Sequence, residues 1–203
     1  MRLFVVLLAA ALAAFAFGVN AQTETEALQT QALGLLSEIR ATLAQEIEQG
    51  ETTVRLSQDR IRISVRRLIV SAGAELRLNP NRDDALERVV STLRDAQGWE
   101  LEIQAHCSTA VLSEAARRAF GDHTGLTQAK ADLLRSEIEE MFDRFDQEPL
   151  PIVSARGMGT STPIDTNSTW QGQRNNDRCE ILILPPGWPN MPRPVFPGES
   201  QTD

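Results

Sequence analysis

The sequence predicts an α+β fold in which two helices pack on a mixed sheet, preceded by an N-terminal helix and a hairpin strand. Three observations carry that expectation. Extended apolar runs occur at 54–70, 99–107, 152–156 and 178–184. Apolar residues recur at three- and four-residue steps at 86–93 and 134–145. The two kinds of segment interleave as β-α-β-α-β-β, a succession that layers helices against one sheet.

The chain begins with Met1 and Arg2 ahead of an apolar run, Leu3 to Val19, without a charged residue. Val19-Asn20-Ala21 offers small residues at the positions a signal peptidase reads, so residues 1–21 are expected to be a signal peptide cleaved after Ala21. An uncleaved anchor is the alternative reading. No cysteine adjoins the cleavage point, which argues against a lipid anchor, and no later segment is long and apolar enough to span a bilayer. Residues 22–50 are expected to be an amphipathic helix, with Leu28, Ala32, Leu35, Leu36, Ile39, Leu43 and Ile47 on one stripe and Gly50 ending it. That stripe packs on its own domain or pairs two copies, a homodimer through residues 28–47.

Residues 51–184 are expected to form the folded domain. Val54, Leu56, Ile61, Ile63 and Val65, with Ser57-Gln58-Asp59-Arg60 between the runs, predict a hairpin whose second arm continues through Leu68 and Ile69. Ser71-Ala72-Gly73-Ala74 breaks it. Asn79-Pro80-Asn81 is expected to cap a helix with inner face Leu86, Val89, Val90 and Leu93, ending near Gly98. Leu101, Ile103 and Ala105 mark a strand over Trp99–Cys107, and Thr109–Gly125 is a long insert with a short helix in Ser113–Phe120. Thr127 is expected to cap the next helix, which runs to about Asp146 with Leu134, Ile138, Met141 and Phe145 on one face and is stopped by Pro149 and Pro151. Strands at Ile152–Arg156 and Arg178–Leu184 close the domain. Residues 185–203 carry Pro185, Pro186, Pro189, Pro192, Pro194 and Pro197, too many for regular structure, and are expected to be an extended tail.

Charge and composition exclude several functions. The net charge is −8, and loss of Arg2 with the signal peptide makes it −9, a balance that repels phosphate backbones and disfavours nucleic acid. Cys107, Cys179, His106 and His123 have no metal-ligand spacing, so no metal and no cofactor is expected. Gly157-Met158-Gly159 is a turn and not a dinucleotide fingerprint, and no nucleophile elbow or phosphate loop occurs; the chain is not expected to be an enzyme.

Five pieces, in order, resemble the peptidoglycan-associating domain of the OmpA-like family, also found in peptidoglycan-associated lipoproteins and flagellar stator B proteins. They are Ser71-Ala72-Gly73-Ala74-Glu75-Leu76, Leu101-Glu102-Ile103-Gln104-Ala105-His106, Leu126-Thr127-Gln128-Ala129-Lys130-Ala131, Ala155-Arg156-Gly157-Met158-Gly159 with Pro163, and Asn176-Asp177-Arg178-Cys179-Glu180-Ile181. The resemblance covers residues 61–184 and implies a binding site for meso-diaminopimelate, whose ammonium and carboxylate sit on one carbon. The family grips them with the aspartate ending its GHTD motif and the arginine of its LSxxRA helix, the latter through a bidentate fork.

Both positions are altered here. The aspartate position is Ser108, or Cys107 or Thr109 if the alignment slips by one, none of them charged, and the arginine position is Lys130, the only lysine among twenty basic residues. A second placement, Leu112-Ser113-Glu114 with Arg117-Arg118-Ala119, would restore an arginine and leave the following helix without its motif start. The two changes are expected to cost about 2–4 kcal/mol of ligand binding, about 30- to 1000-fold. His123 matches the asparagine before LSxxRA, Thr127 opens the matched helix segment, and His106 ends the matched strand. Asn176 and Arg178 line the ligand groove or serve structure, Arg178 pairing with Glu180 or Asp177 and Asn176 closing a turn. His106, Ser108, His123, Thr127, Lys130, Asn176 and Arg178 are thus the candidate ligand-binding set. In this family the last strand lies antiparallel beside the second, so the resemblance also implies a Cys107–Cys179 disulfide beside the cleft.

The implied function is a non-catalytic periplasmic protein, located at the cell wall or outer membrane, that associates with the diaminopimelate stem peptide of peptidoglycan or with envelope proteins through a weakened site. The alternative is a structural subunit of an envelope complex, of motor or secretion type, that no longer binds peptidoglycan.

Overall fold

The computed structural model describes residues 26–57, 60–93, 96, 98–146 and 150–186. The expected signal peptide, residues 1–21, and nearly all of the proline tail lie outside these residues.

A helix over residues 26–42 (α1) continues through Leu43 into α2, Ala44–Glu48, where Gly50 at φ +69 turns the chain out. The hairpin follows as β1, Thr52–Ser57, and β2, Arg60–Arg66. Its second arm stops sooner than expected. Arg67 sits at φ +51, left-handed backbone that bends the chain off the sheet, so Ile69–Ala72 (β3) pairs instead with Glu75–Leu78 (β4) in a separate two-stranded ribbon. Then come α3, Asp83–Thr92; β5, Glu100–His106; α4, Glu114–Phe120; α5, His123–Arg144; β6, Ile152–Gly159; α6, Trp170–Asn176; and β7, Arg178–Leu184.

The main sheet has the order β1-β2-β7-β5-β6, with β5 and β6 parallel and every other pair antiparallel. This is the expected mixed sheet, and the last strand lies at its centre. Register decides which residues meet the helices. Val54 opposes Ile63, Ile63 opposes Ile181, and Ile181 opposes Ile103, so one face carries a continuous apolar band. Leu86, Val89 and Val90 of α3 and Leu134, Ile138 and Met141 of α5 bury against that band. On the other face Arg62, Ser64, Arg178, Glu180 and His106 stand together.

Ala32, Leu35, Leu36, Ile39 and Leu43 join the same core, with Ile39 fully buried. The stripe is therefore occupied by its own domain, and the expected homodimer through residues 28–47 would have to displace it from there. Arg40 further ties α1 to the edge of the sheet, donating to the Val54 carbonyl at 3.0 and 3.2 Å.

Two expected caps are corrected. Arg82, not the Asn79–Asn81 turn, precedes α3; Asn79 accepts from the Asn81 N–H in an Asx turn and donates to the Arg67 carbonyl. The long helix α5 starts at His123, capped by Asp122, whose Oδ1 accepts from the Gly125 N–H at 2.8 Å. Thr127 lies inside it, and its hydroxyl accepts from the Gly159 N–H at 2.9 Å. Gly157 completes this junction: a Cβ there would sit 2.3 Å from the Gln128 nitrogen and 2.8 Å from the Thr124 carbonyl oxygen. The absent side chain lets the start of α5 lie directly on β6 and brings Lys130 over the end of β5. No helix among the described residues is long and apolar enough to cross a membrane.

Candidate functional site

A pocket of about 360 Å³ opens where the ends of β5 and β2, the start of β7, the β3–β4 turn and the insert meet α5. Ser108, His123 and Lys130 of the predicted set line it, together with Cys107, Arg67 and Asp177. Ser108 and Lys130, expected at the positions of the family's charged pair, therefore share one hollow.

Lys130 has a buried side chain, 4% exposed, and its Nζ lies 2.5 Å from Asp177 Oδ1. Burial alone would push the ammonium down, but the adjacent carboxylate outweighs it and holds the lysine above its ordinary value. It stays charged and is already satisfied. Asp177 follows α6 and precedes β7, and a third of its side chain reaches solvent. Ser108 is buried and accepts from the Ala110 N–H at 3.3 Å, which folds the insert back over the pocket. The His123 ring holds the same insert through Nε2 and the Ala110 carbonyl at 2.9 Å.

Cys107 and Cys179 are both buried free thiols, which corrects the expected disulfide. Cys179 faces Ala105 in the antiparallel register, so Cys107 is two residues off, diagonally placed on the same face. Diagonal partners stand roughly 7–8 Å apart, beyond the Cα separation a disulfide spans. Burial pushes Cys107 up to about 11 and Cys179 up to about 12, in spite of the nearby Lys130, so neither is a nucleophile at neutral pH.

The remaining predicted residues do not line this pocket. Thr127 is the fully buried pin between α5 and Gly159. Asn176 is also fully buried and staples the loop before α6: its Oδ1 accepts from the Ile164 and Asp165 N–H groups, and its Nδ2 donates to the Asp165 carbonyl and Asn167 Oδ1. Arg178 donates from Nε to Glu180 Oε1 at 2.8 Å and from Nη2 to the Thr162 carbonyl at 3.2 Å. His106 meets the Thr162 hydroxyl through Nδ1 at 2.8 Å. Its Nε2 lies 3.9 Å from Glu180, yet burial, together with Arg178 and Arg62, lowers the ring to about 4, so this contact is between a neutral imidazole and a carboxylate. These four residues hold loop and sheet together. Arg117 and Arg118 of the second placement are exposed on α4 and do not line the pocket.

Sequence reasoning named Asp177 only as a possible partner of Arg178 and passed over Arg67. Asp177 carried a signal, an acid standing where the family has a base while a lysine replaces the arginine opposite. Arg67 had only the doubled arginine, Arg66-Arg67, interrupting a strand pattern.

Neither a family model nor a curated protein matches the chain. Solved structures do. A MotB-like protein from Desulfovibrio vulgaris aligns over 82% of this chain and 98% of its own at 17% identity with a TM-score of 0.66. The cell wall anchor of the T6SS from Pseudomonas aeruginosa aligns over 72% and 96% at 20% identity, TM-score 0.57. The periplasmic domain of Helicobacter pylori MotB aligns over 66% and 79% at 13% identity, TM-score 0.53. The chain has the fold of OmpA-like, MotB-type domains.

Proposed function

We propose that this chain is a non-catalytic, periplasmic wall-associating domain of a cell-envelope assembly, with a weakened grip on diaminopimelate. The fold shared with a cell wall anchor and MotB-type domains supports the general reading, and the Lys130–Asp177 ion pair inside the pocket carries the weakening. A ligand carboxylate approaching Lys130 competes with Asp177 for the same ammonium, and a ligand ammonium finds a hydroxyl at Ser108 where a carboxylate would be needed.

Sedimentation with purified sacculi tests it. The wild-type chain is expected to co-sediment weakly, and the Ser108→Asp/Lys130→Arg/Asp177→Asn variant, which restores a free carboxylate and a free fork, to bind about 30- to 1000-fold more tightly. Absence of wild-type co-sedimentation alongside binding by the triple variant would favour the second reading, a structural subunit that no longer holds peptidoglycan. The occupied state of Lys130 favours that second reading too, so the wild-type result decides between them.

A further inference from the structure

We propose that the pocket accepts the terminal carboxylate of a peptide whose α-nitrogen is acylated, with Arg67 as its receptor, and so selects against a zwitterion. The inference rests on the wall-associating reading and assigns the ligand to the D-alanine end of a stem peptide. Arg67, Lys130 and Asp177 are the formally charged residues among those that line the pocket, two positive and one negative, for a sum of +1. Lys130 and Asp177 satisfy each other at 2.5 Å, whereas the Arg67 guanidinium makes no hydrogen bond or ion pair among the described residues. A singly negative group complements that balance. A zwitterion brings no net charge and would set its ammonium beside Lys130, both drawing on one carboxylate.

The backbone at Arg67 argues for the same role. A residue other than glycine at φ +51 is costly and persists where its surroundings over-determine it. Here the Arg67 N–H donates to the Asp177 carbonyl at 2.8 Å and the Arg67 carbonyl accepts from Asn79 Nδ2 at 3.1 Å. The Arg67 backbone is thus clamped to the segment that supplies the ion pair, and Arg67 and Lys130 line one pocket. Arginine is suited to a carboxylate because its fork donates two parallel hydrogen bonds.

Isothermal titration of the full chain with N-acetyl-D-Ala-D-Ala, its C-terminal amide, N-acetyl-L-Ala-L-Ala and meso-diaminopimelate tests this. The acetylated D-dipeptide is expected to bind at least tenfold more tightly than its amide, the L-dipeptide and diaminopimelate. Arg67→Gly, which relieves the left-handed backbone and so keeps the fold, should abolish the difference between acid and amide without lowering the melting temperature; Arg67→Lys should retain part of it. Equal binding of acid and amide, tighter binding of diaminopimelate, or unchanged binding by Arg67→Gly overturns the proposal. A preference for the L-dipeptide overturns the wall source and points to a protein C-terminus. If sacculi fail to bind while the acetylated D-dipeptide binds, the carboxylate receptor stands and the wall-associating reading falls.

Discussion

Lys130 and Asp177 are unequal partners, and substitutions at the two should have unequal costs. Asp177→Ala leaves an ammonium with almost no water around it, and a loss of about 2–4 kcal/mol is expected, at the low end of buried pairs because the carboxylate is 33% exposed. Lys130→Met leaves a carboxylate that still reaches solvent and adds an apolar side chain, so a change within about 1 kcal/mol is expected. Urea unfolding of both variants measures the asymmetry, and equal losses would contradict it. His106 supplies a pH signature. Its ring takes up a proton near 6.5 when unfolded and only near 4 when folded, so the unfolded chain binds more protons between those values. Stability should be indifferent to this residue above pH 6.5 and fall by roughly 3 kcal/mol as pH drops toward 4. His106→Gln should flatten that slope in unfolding curves taken between pH 4.5 and 7. The halves of the site differed in legibility for a related reason. Lys130 and Ser108 could be placed because each sits at an expected motif position, whereas the pairing of Lys130 with Asp177 joins residues 47 apart and depends on the strand register.

The elements that alternation or a helical stripe could mark were legible: α1, β1, β2, β5, α5 and β7 lie where periodicity put them, within a few residues, the short α4 lies in the insert expected to hold it, and α3 has the expected inner face but ends at Thr92, short of Gly98. The misses have two causes: backbone conformation overrode side-chain pattern at β3, and β4 and α6 carry no pattern to read. Leu68 and Ile69 continue the apolar run of β2, but the left-handed turn at Arg67 sends them into a separate ribbon. Its partner Glu75–Leu78 is half exposed and too short to show a pattern, and α6 is polar, held by the Thr169 cap and the Asn176 staple. At this scale the contact of α5 on β6 is the joint that sets the pocket. Gly157→Ala would drive a methyl into the Gln128 and Thr124 backbone, which cannot yield as a side chain can, and a destabilisation of at least about 3 kcal/mol is expected by denaturant titration. Ile39→Ala, at a fully buried position of α1, should cost about 2–5 kcal/mol. A loss below 1 kcal/mol would mean that α1 is not part of the core.

The whole molecule is organised around β7, the last of the described strands in chain order. β7 lies between β2 and β5, so without it the β1–β2 hairpin and the β5–β6 pair have no shared hydrogen bonds, and the apolar band that α3 and α5 cover is split. A chain ending at Asp177 should therefore fail to fold, seen as rapid proteolysis and loss of a cooperative melt. Survival of a cooperative transition in that truncation would show that the two halves fold independently. The same arrangement reaches the pocket, since Asp177 is fixed by the docking of that strand while Lys130 and Ser108 are supplied from the middle of the chain. Until β7 docks, Lys130 has no carboxylate beside it and the hollow lacks one wall, so recognition switches on with the strand pairing itself and a half-folded chain is blind to any ligand.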